Sequence, residues 1–331
     1  MGQKGKSSGR YDFTYQNEGT DTVKPGPHTA FSVVVPVFNE KENLEPLHTR
    51  LVRVMGGLKR PYEIIYVDDG SSDGSFQILK NIQGKDKRTR VISFTRNFGQ
   101  HPAIMAGLNA AAGEVIITLD ADLQNPPEEI PKLIKKMTDG YEVVFGVFEG
   151  RKHSLFRRAG SWFAKWALAR VLPVNITGLS GFRAVKACAV DQLKSLNEKS
   201  KFLDGLLCWM GYKVGTVEVR HDERHSGKTK YTLSKLTGLW LDMVISFTDF
   251  PLKMATFLGL IFGTVSLLLA LFYFIRYFAF GYSVPGFATT AILITFFSGI
   301  QLFSLGILGE YMGRVNREVK NKPEYIIRRE L

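Results

Sequence analysis

The sequence has little cysteine and little histidine. Two cysteines, Cys188 and Cys208, stand 20 positions apart among 331 residues. They form no CxxC pair and no disulfide framework, which excludes a zinc ribbon and a small secreted scaffold. A reduced, cytoplasmic setting is expected. The 6 histidines show no ligand spacing. His48, His101, His153, His221 and His225 are expected to be structural or solvated, and His28 lies in an N-terminal arm. No GxGxxG follows any apolar run, which disfavours a dinucleotide site, and no GxxxxGK[ST] is present. Residues 1–30 lack an apolar core of the kind a secretory signal needs. Lys6 stands where myristoylation needs Ser or Thr. This arm is expected to be flexible and is given no function. Acidic charge is the scarcer sign, with 31 Asp and Glu against 43 Lys and Arg, a net charge of +12. That implies an anionic partner: nucleic acid, anionic lipid or a phosphorylated ligand.

What is present is ordinary for a folded chain, at 45% hydrophobic and 22% charged residues. The length allows two domains, or one large domain with an appendage. Apolar residues concentrate near the C-terminus. Met254 to Ile275 contains no charge and is bracketed by Lys253 and Arg276. At ~1.5 Å per residue it reaches ~33 Å, the thickness of a hydrocarbon core. A second uncharged stretch is densest from Phe287 to Gly309. Between them Gly281, Pro285 and Gly286 signal a turn. A two-helix membrane hairpin is therefore expected, with helices over 254–276 and 287–309. Arg314, Arg317, Lys320, Lys322, Arg328 and Arg329 follow it. By the positive-inside rule both termini and the large N-terminal part are expected in the cytoplasm. Ahead of the hairpin, Leu233, Leu236, Trp240, Met243, Phe247 and Phe250 recur at spacings of three and four. That is an amphipathic helix, read as an interfacial element over 232–253, with a core helix as the alternative. Gly259, Gly263, Gly306 and Gly309 permit close helix packing, so a homo-oligomer joins the expected partners.

The soluble part alternates strand and helix. Strands are expected over 31–37, 63–67, 90–94, 114–119 and 141–145. Helices are expected over 41–55, 75–82 and 102–112, and one opens at Pro126 and Pro127 with Glu128 and Glu129 at its positive end. Repeated βα units imply an α/β fold with an open, mostly parallel sheet covered by helices on both faces. In such sheets ligands sit at the carboxyl ends of the strands. Those ends are polar and acidic here: Pro36-Val-Phe-Asn-Glu40, Asp68-Asp-Gly-Ser-Ser-Asp-Gly74, Thr95-Arg-Asn-Phe-Gly-Gln100 and Asp120-Ala-Asp-Leu-Gln124. Any single cluster is explained by turn chemistry. Four on one edge are not. Asp120 and Asp122 repel each other unless a cation sits between them. Oxygen donors favour Mg²⁺ or Mn²⁺, ions that bridge to a diphosphate.

From Gly150 to Val190 there is no acid, while Arg151, Lys152, Arg157, Arg158, Lys165, Arg170, Arg183 and Lys186 are interleaved with Leu155, Phe156, Trp162, Phe163 and Trp166. The alternatives are a solvated face and a nucleic-acid surface. Beside a membrane anchor, the reading adopted is contact with anionic lipid or a lipid phosphate, and no nucleic acid is expected.

Val35-Pro-Val-Phe-Asn-Glu40, Val67-Asp-Asp-Gly-Ser71, Asn97-Phe-Gly-Gln100, Asp120-Ala-Asp-Leu-Gln-Asn-Pro-Pro-Glu128 and Ser180-Gly-Phe-Arg183 occur in order. Together they resemble the GT-A family 2 glycosyltransferases that act on polyprenyl phosphates. The likeness covers about 31–235 and, through the hairpin, extends to about 310. The resemblance implies a cytoplasmic GT-A domain over 31–231, the hairpin within 254–310 and a basic cytoplasmic tail over 311–331. It implies that Pro36, Phe38, Glu40 and Asp69 hold the nucleoside and that Asp120 lies near the ribose, diphosphate or sugar. Asp122 and Gln124 would ligate Mg²⁺ or Mn²⁺. Arg224, in Arg224-His-Ser-Gly227, would meet the diphosphate, and Arg157 and Ser161 the acceptor phosphate. Phe148 stands where many relatives have Arg, with Arg151 as the substitute.

The implied reaction is inverting, metal-dependent transfer of a hexose from a nucleotide sugar, with UDP-glucose the first choice, to undecaprenyl phosphate at the bilayer. GDP-mannose and a modified UDP-arabinose are the alternative donors. A processive polysaccharide synthase, which would carry a QxxRW motif absent here, and a non-enzymatic membrane scaffold are the other readings.

Overall fold

The computed structural model describes residues 29–148, 179–196, 203–222, 250–280, 286–320 and 322–331. Its N-terminal part is βα repeats: β1 (Phe31–Val37), α1 (Lys41–Gly57), β2 (Tyr62–Asp68), α2 (Ser75–Lys85), β3 (Thr89–Phe94), α3 (Gln100–Ala110), β4 (Val115–Thr118), a 3₁₀ turn (Pro127–Glu129), α4 (Ile130–Thr138) and β5 (Val143–Phe148). There follow β6 (Leu179–Lys186), α5 (Ala187–Ser195), α6 (Leu203–Trp209) and β7 (Val214–Val219). Two long helices, α7 (Phe250–Phe280) and α8 (Phe287–Val319), and a last strand, β8 (Ile327–Glu330), complete the chain.

The eight strands form one sheet in the order β7-β5-β6-β4-β1-β2-β3-β8. The sheet is mixed, with parallel strands in the majority as expected. Parallel pairing holds for β1 with β2 and β4, β2 with β3, and β5 with β7. β6 runs antiparallel between β4 and β5, and β8 runs antiparallel along β3. Alternation along β1 sends Val33 and Val35 to one face and Val34 to the other. On the first face they meet Leu44, Leu47 and Leu51 of α1, spaced three and four apart. On the second, Val34 meets Ile104 and Leu108 of α3. All but the two α3 residues are wholly buried; burying one such side chain contributes about 1.5–3 kcal/mol.

The order reverses at β1. The chain winds outward through β2 and β3 on one side and through β4 on the other. A reversal of this kind opens a crevice at the carboxyl ends of the two central strands, because the loops leaving them diverge to opposite faces. Pro36 to Glu40 and Asp120 to Gln124 leave β1 and β4 at that point.

The segment expected as a basic tail over 311–331 holds regular structure. α8 continues to Val319, and Ile327–Glu330 becomes an edge strand of the sheet. Leu331 N–H donates to the Val91 carbonyl at 2.8 Å, and Val91 N–H donates back at 3.0 Å. Arg90 pairs with Glu330 at 2.9 Å. Of the candidate membrane helices, Leu252–Arg276 within α7 has a mean hydropathy of 2.4 and passes by length and composition. Phe262 of α7 meets Phe296 and Phe297 of α8 edge-on, at 5.8 and 6.1 Å between centroids. Most of the juxtamembrane segment 232–253 lies outside the described residues; its last four belong to α7.

Candidate functional site

The loops after β1 and β2 are laced together. Asn39 takes a left-handed conformation, φ 57°, which Asn tolerates better than most residues. Its backbone N–H donates to Ser71 Oγ at 3.0 Å, and Ser72 N–H donates to its Oδ1 at 2.8 Å. Glu40 N–H donates to Ser75 Oγ at 3.1 Å, and Asn43 Nδ2 donates to a Glu40 carboxylate oxygen at 2.6 Å. Burial works to raise the Asp73 carboxyl, but hydrogen bonds from the Ser75 hydroxyl and from the Ser75 and Lys41 amides hold it below its ordinary value. Pro36, Phe38 and Glu40 are half-buried on this rim.

Asp68 and Asp69 turn the other way, toward β3. Asp68 accepts from the Ser93 hydroxyl at 2.8 Å and from Ser71 N–H at 3.1 Å. Asp69, 2% exposed, accepts from Phe98 N–H at 2.6 Å and Gly99 N–H at 2.8 Å. Burial pushes its carboxyl up, and those two amides oppose the shift. The carboxylate therefore fixes the path of residues 97–99. Gly70 makes this crossing possible. Its φ is +67°, and a Cβ there would stand 2.5 Å from the Arg96 carbonyl carbon.

The loop after β4 carries the two acids. Asp122 is buried, and its Oδ1 accepts from Gln124 N–H at 3.1 Å. Leu123 between them has φ 63°, a tight bend that brings Gln124 N–H onto the Asp122 carboxylate. Asp120 is half-buried, and its Oδ1 accepts from Gln100 Nε2, on the first residue of α3, at 2.6 Å. The backbone of Gly181, in β6, runs beside the same carboxylate. Arg183 lies behind it, 3% exposed, donating to Thr118 Oγ1 at 2.9 Å and paired with Asp204. Burial pulls the Arg183 guanidinium down to about 10, and the Asp120 charge opposes that. Sequence reasoning marks the motif that contains Gln100 without giving it a role; it counts Arg183 in the basic stretch read as meeting lipid phosphate, and the burial of Arg183 against Asp204 corrects that. A polar residue after a strand identifies an edge; only the sheet order says which strand ends meet.

The donor set fits a hard divalent cation. Asp120, Asp122 and Gln124 offer oxygens on one five-residue turn, and the buried Asn125 Oδ1 beside them finds no hydrogen-bond partner among the described residues. Among the described residues no group of three or more His, Cys, Asp or Glu gathers to hold a metal by itself. An ion held by one or two carboxylates completes its shell with substrate phosphates.

Residues 32–189 match the family described as Glycosyl transferase family 2. The chain is 38% identical over 302 residues to the SfII prophage-derived bactoprenol glucosyl transferase of Shigella flexneri, spanning 90% of this chain and 97% of that protein. It is 36% identical over 310 residues to the undecaprenyl-phosphate 4-deoxy-4-formamido-L-arabinose transferase of Proteus mirabilis, spanning 90% and 93%. This chain belongs to glycosyl transferase family 2. The solved structure of glucosyl-3-phosphoglycerate synthase from Mycobacterium tuberculosis is similar at a TM-score of 0.45 and 20% identity, over 65% of this chain and 78% of that one.

The candidate site residues of this glycosyltransferase fall in two groups. Pro36, Phe38, Glu40, Asp69, Asp120, Asp122 and Gln124 are all brought to the carboxyl edge of β1, β2 and β4. Arg151, Arg157, Ser161 and Arg224 lie outside the described residues. The root of the segment carrying Arg224 is anchored nonetheless. Asp222 N–H donates to the Gln124 carbonyl at 3.0 Å, and Arg220 donates to the buried Glu129 at 2.9 Å. Phe148, at the end of β5, meets the ring of His221 at 4.1 Å.

Proposed function

We propose that this glycosyltransferase moves a hexose, with glucose from UDP-glucose the first choice, onto a polyprenyl phosphate, undecaprenyl phosphate, at the cytoplasmic face of a membrane. The observation that carries the reading is the pairing of Asp120 with Asp122 at the reversal point of the sheet. It is supported by whole-length similarity to a bactoprenol glucosyl transferase. Pro36, Phe38 and Glu40 line the nucleoside side, with Asp69 holding the neighbouring loop. Asp122 and Gln124 hold Mg²⁺ or Mn²⁺, and Asp120 faces the donor. When bound, such an ion supplies positive charge against the leaving diphosphate. Arg224 adds a second positive charge to the same oxygens. Arg157 and Ser161, with Arg151, receive the acceptor phosphate.

That acceptor is a phosphate monoester with a second pKa near ~6, so it is largely ionised at neutral pH and attacks without a strong general base. The new bond joins its oxygen to the anomeric carbon as the bond to the diphosphate breaks. One in-line displacement inverts the configuration. An α-linked donor then yields a β-linked lipid phosphate.

The placement at a membrane is supported by α7, the one candidate span among the described residues, with α8 taken as the second crossing. A chain that crosses a bilayer in α7 and recrosses it in α8 brings its end back to the starting side. The pairing of β8 with β3 supports two crossings, with the C-terminus beside the catalytic sheet. Basic residues after α8 support the cytoplasm as that side. The similarity to the L-arabinose transferase keeps a modified UDP-arabinose as a second donor.

The test is sugar transfer in detergent with undecaprenyl phosphate and Mg²⁺ or Mn²⁺. Radiolabelled UDP-glucose and GDP-mannose are offered separately, and label is counted in the organic phase. Label from UDP-glucose is the expected result. Label from GDP-mannose alone keeps the mechanism and replaces the donor. Absence of extractable label with these two and with the arabinose donor overturns the reading.

A further inference from the structure

Gln100 reaches across the sheet edge from the loop after β3 to the loop after β4. Its Nε2 donates to Asp120 Oδ1 at 2.6 Å. The side chain is exposed, so burial does not force the bond. It is the first residue of α3, yet it does not cap that helix: the N-terminus of α3 has no side-chain cap. The amide orientation follows from chemistry, since a carboxylate accepts only from the N–H₂ end. The root of Gln100 is fixed as well. Asp69 pins Phe98 and Gly99 through both carboxylate oxygens, so Gln100 springs from backbone that is already held.

A neutral amide is the informative choice at this position. A lysine or arginine would also orient Asp120, but its charge would cancel the negative charge that draws a cation. An amide fixes one oxygen and leaves the net charge intact. From this geometry we infer that Gln100 is a positioning residue, holding the Asp120 carboxylate in the orientation that a divalent cation–diphosphate pair requires. The inference rests on the reading of Asp120 and Asp122 given above.

The experiment titrates Mn²⁺ by electron paramagnetic resonance into the full-length detergent-solubilised protein, with UDP and separately with GDP. Wild type, Gln100→Ala and Gln100→Lys are compared, each checked by thermal unfolding. Loss of one hydrogen bond to a charged group corresponds to weakening by about tenfold, so Gln100→Ala is expected to raise the Mn²⁺ dissociation constant by about that factor. Gln100→Lys is expected to raise it further, because the ammonium competes with the ion. Unfolding midpoints stay unchanged for both, since the residue is exposed. In the transfer assay kcat falls with the acceptor KM unaltered. If both variants bind Mn²⁺ as wild type does, the inference is overturned while the donor site stands. It is overturned equally if Mn²⁺ binding is intact and only transfer is lost, because Gln100 then acts on substrate directly. If wild type retains no Mn²⁺ with either diphosphate, the metal reading of Asp122 and Gln124 falls, and this inference with it.

Discussion

The ring of Tyr325 lies nearly parallel to that of Phe94, 4.9 Å between centroids, and its hydroxyl accepts from Asn109 Nδ2 at 3.1 Å. One residue of the C-terminal segment thus touches both β3 and α3, the two elements whose junction carries Phe98, Gly99 and Gln100. The residues just before the last strand therefore tie the end of β3 to the C-terminal end of α3. Tyr325→Ala removes the stack and the hydroxyl acceptor. The expected loss is about 2 kcal/mol, read as a lowered unfolding midpoint. Deleting residues 324–331 bares the β3 edge, and aggregation on concentration, followed by light scattering, is expected.

Gly70 tests the crossing of the β2 and β3 loops. Gly70→Ala places a methyl against the Arg96 backbone in a left-handed conformation. Destabilisation by about 2–4 kcal/mol is expected, together with weakened retention of the nucleoside diphosphate. Denaturant unfolding and a nucleotide titration check the two effects.

Arg50 and Glu128 form a forked pair at 3.0 and 2.6 Å that joins α1 to the turn after the acid pair, and Arg50 also reaches Asp222 at 3.9 Å. The Arg50 hydrogen bond holds the Glu128 carboxyl below its ordinary value. A depressed acid contributes stability that is present above the unfolded-state pKa and lost as pH falls through the folded one. Glu128→Gln is therefore expected to lower stability at pH 7, by no more than about 1 kcal/mol because solvent screens the pair. Wild type and variant converge only as pH falls through the lowered folded pKa of Glu128. Unfolding midpoints measured from pH 3 to 8 check the sign.

Asp122→Asn and Asp120→Asn separate the two acids. Asp122→Asn is expected to abolish metal-dependent transfer, by at least about a thousandfold, while the protein still unfolds cooperatively. Asp120→Asn removes a negative charge that supports the buried Arg183 guanidinium, so a loss of stability is expected as well as the loss of turnover. Activity and unfolding measured on both variants check the split; an active, metal-dependent Asp122→Asn enzyme removes Asp122 from the metal site.

Much of this protein is determined by local pattern. The β-branched run Phe31–Val37 gives a buried strand because period-two side chains meet core on both faces. The spacing of Leu44, Leu47 and Leu51 gives α1 because a 3.6-residue turn aligns them. Each strand end announces itself by Asp, Asn and Gly, which accept turn conformations. The uncharged run beginning at Met254 gives a helix long enough for a bilayer. None of these needs a distant residue.

Tertiary structure decided the rest. Ile327–Glu330 is short and charged, with no alternation to mark it. It is a strand only because the open edge of β3 offers unpaired backbone groups, and a charged edge strand is what such an edge tolerates. The antiparallel insertion of β6 between β4 and β5 likewise leaves no local trace, since a parallel and an antiparallel strand share the same alternation. The bond from Gln100 to Asp120 spans two different loops, and no spacing in the sequence encodes it. Local chemistry fixes which groups a strand end carries; the order of strands, a global property, fixes which of those groups meet.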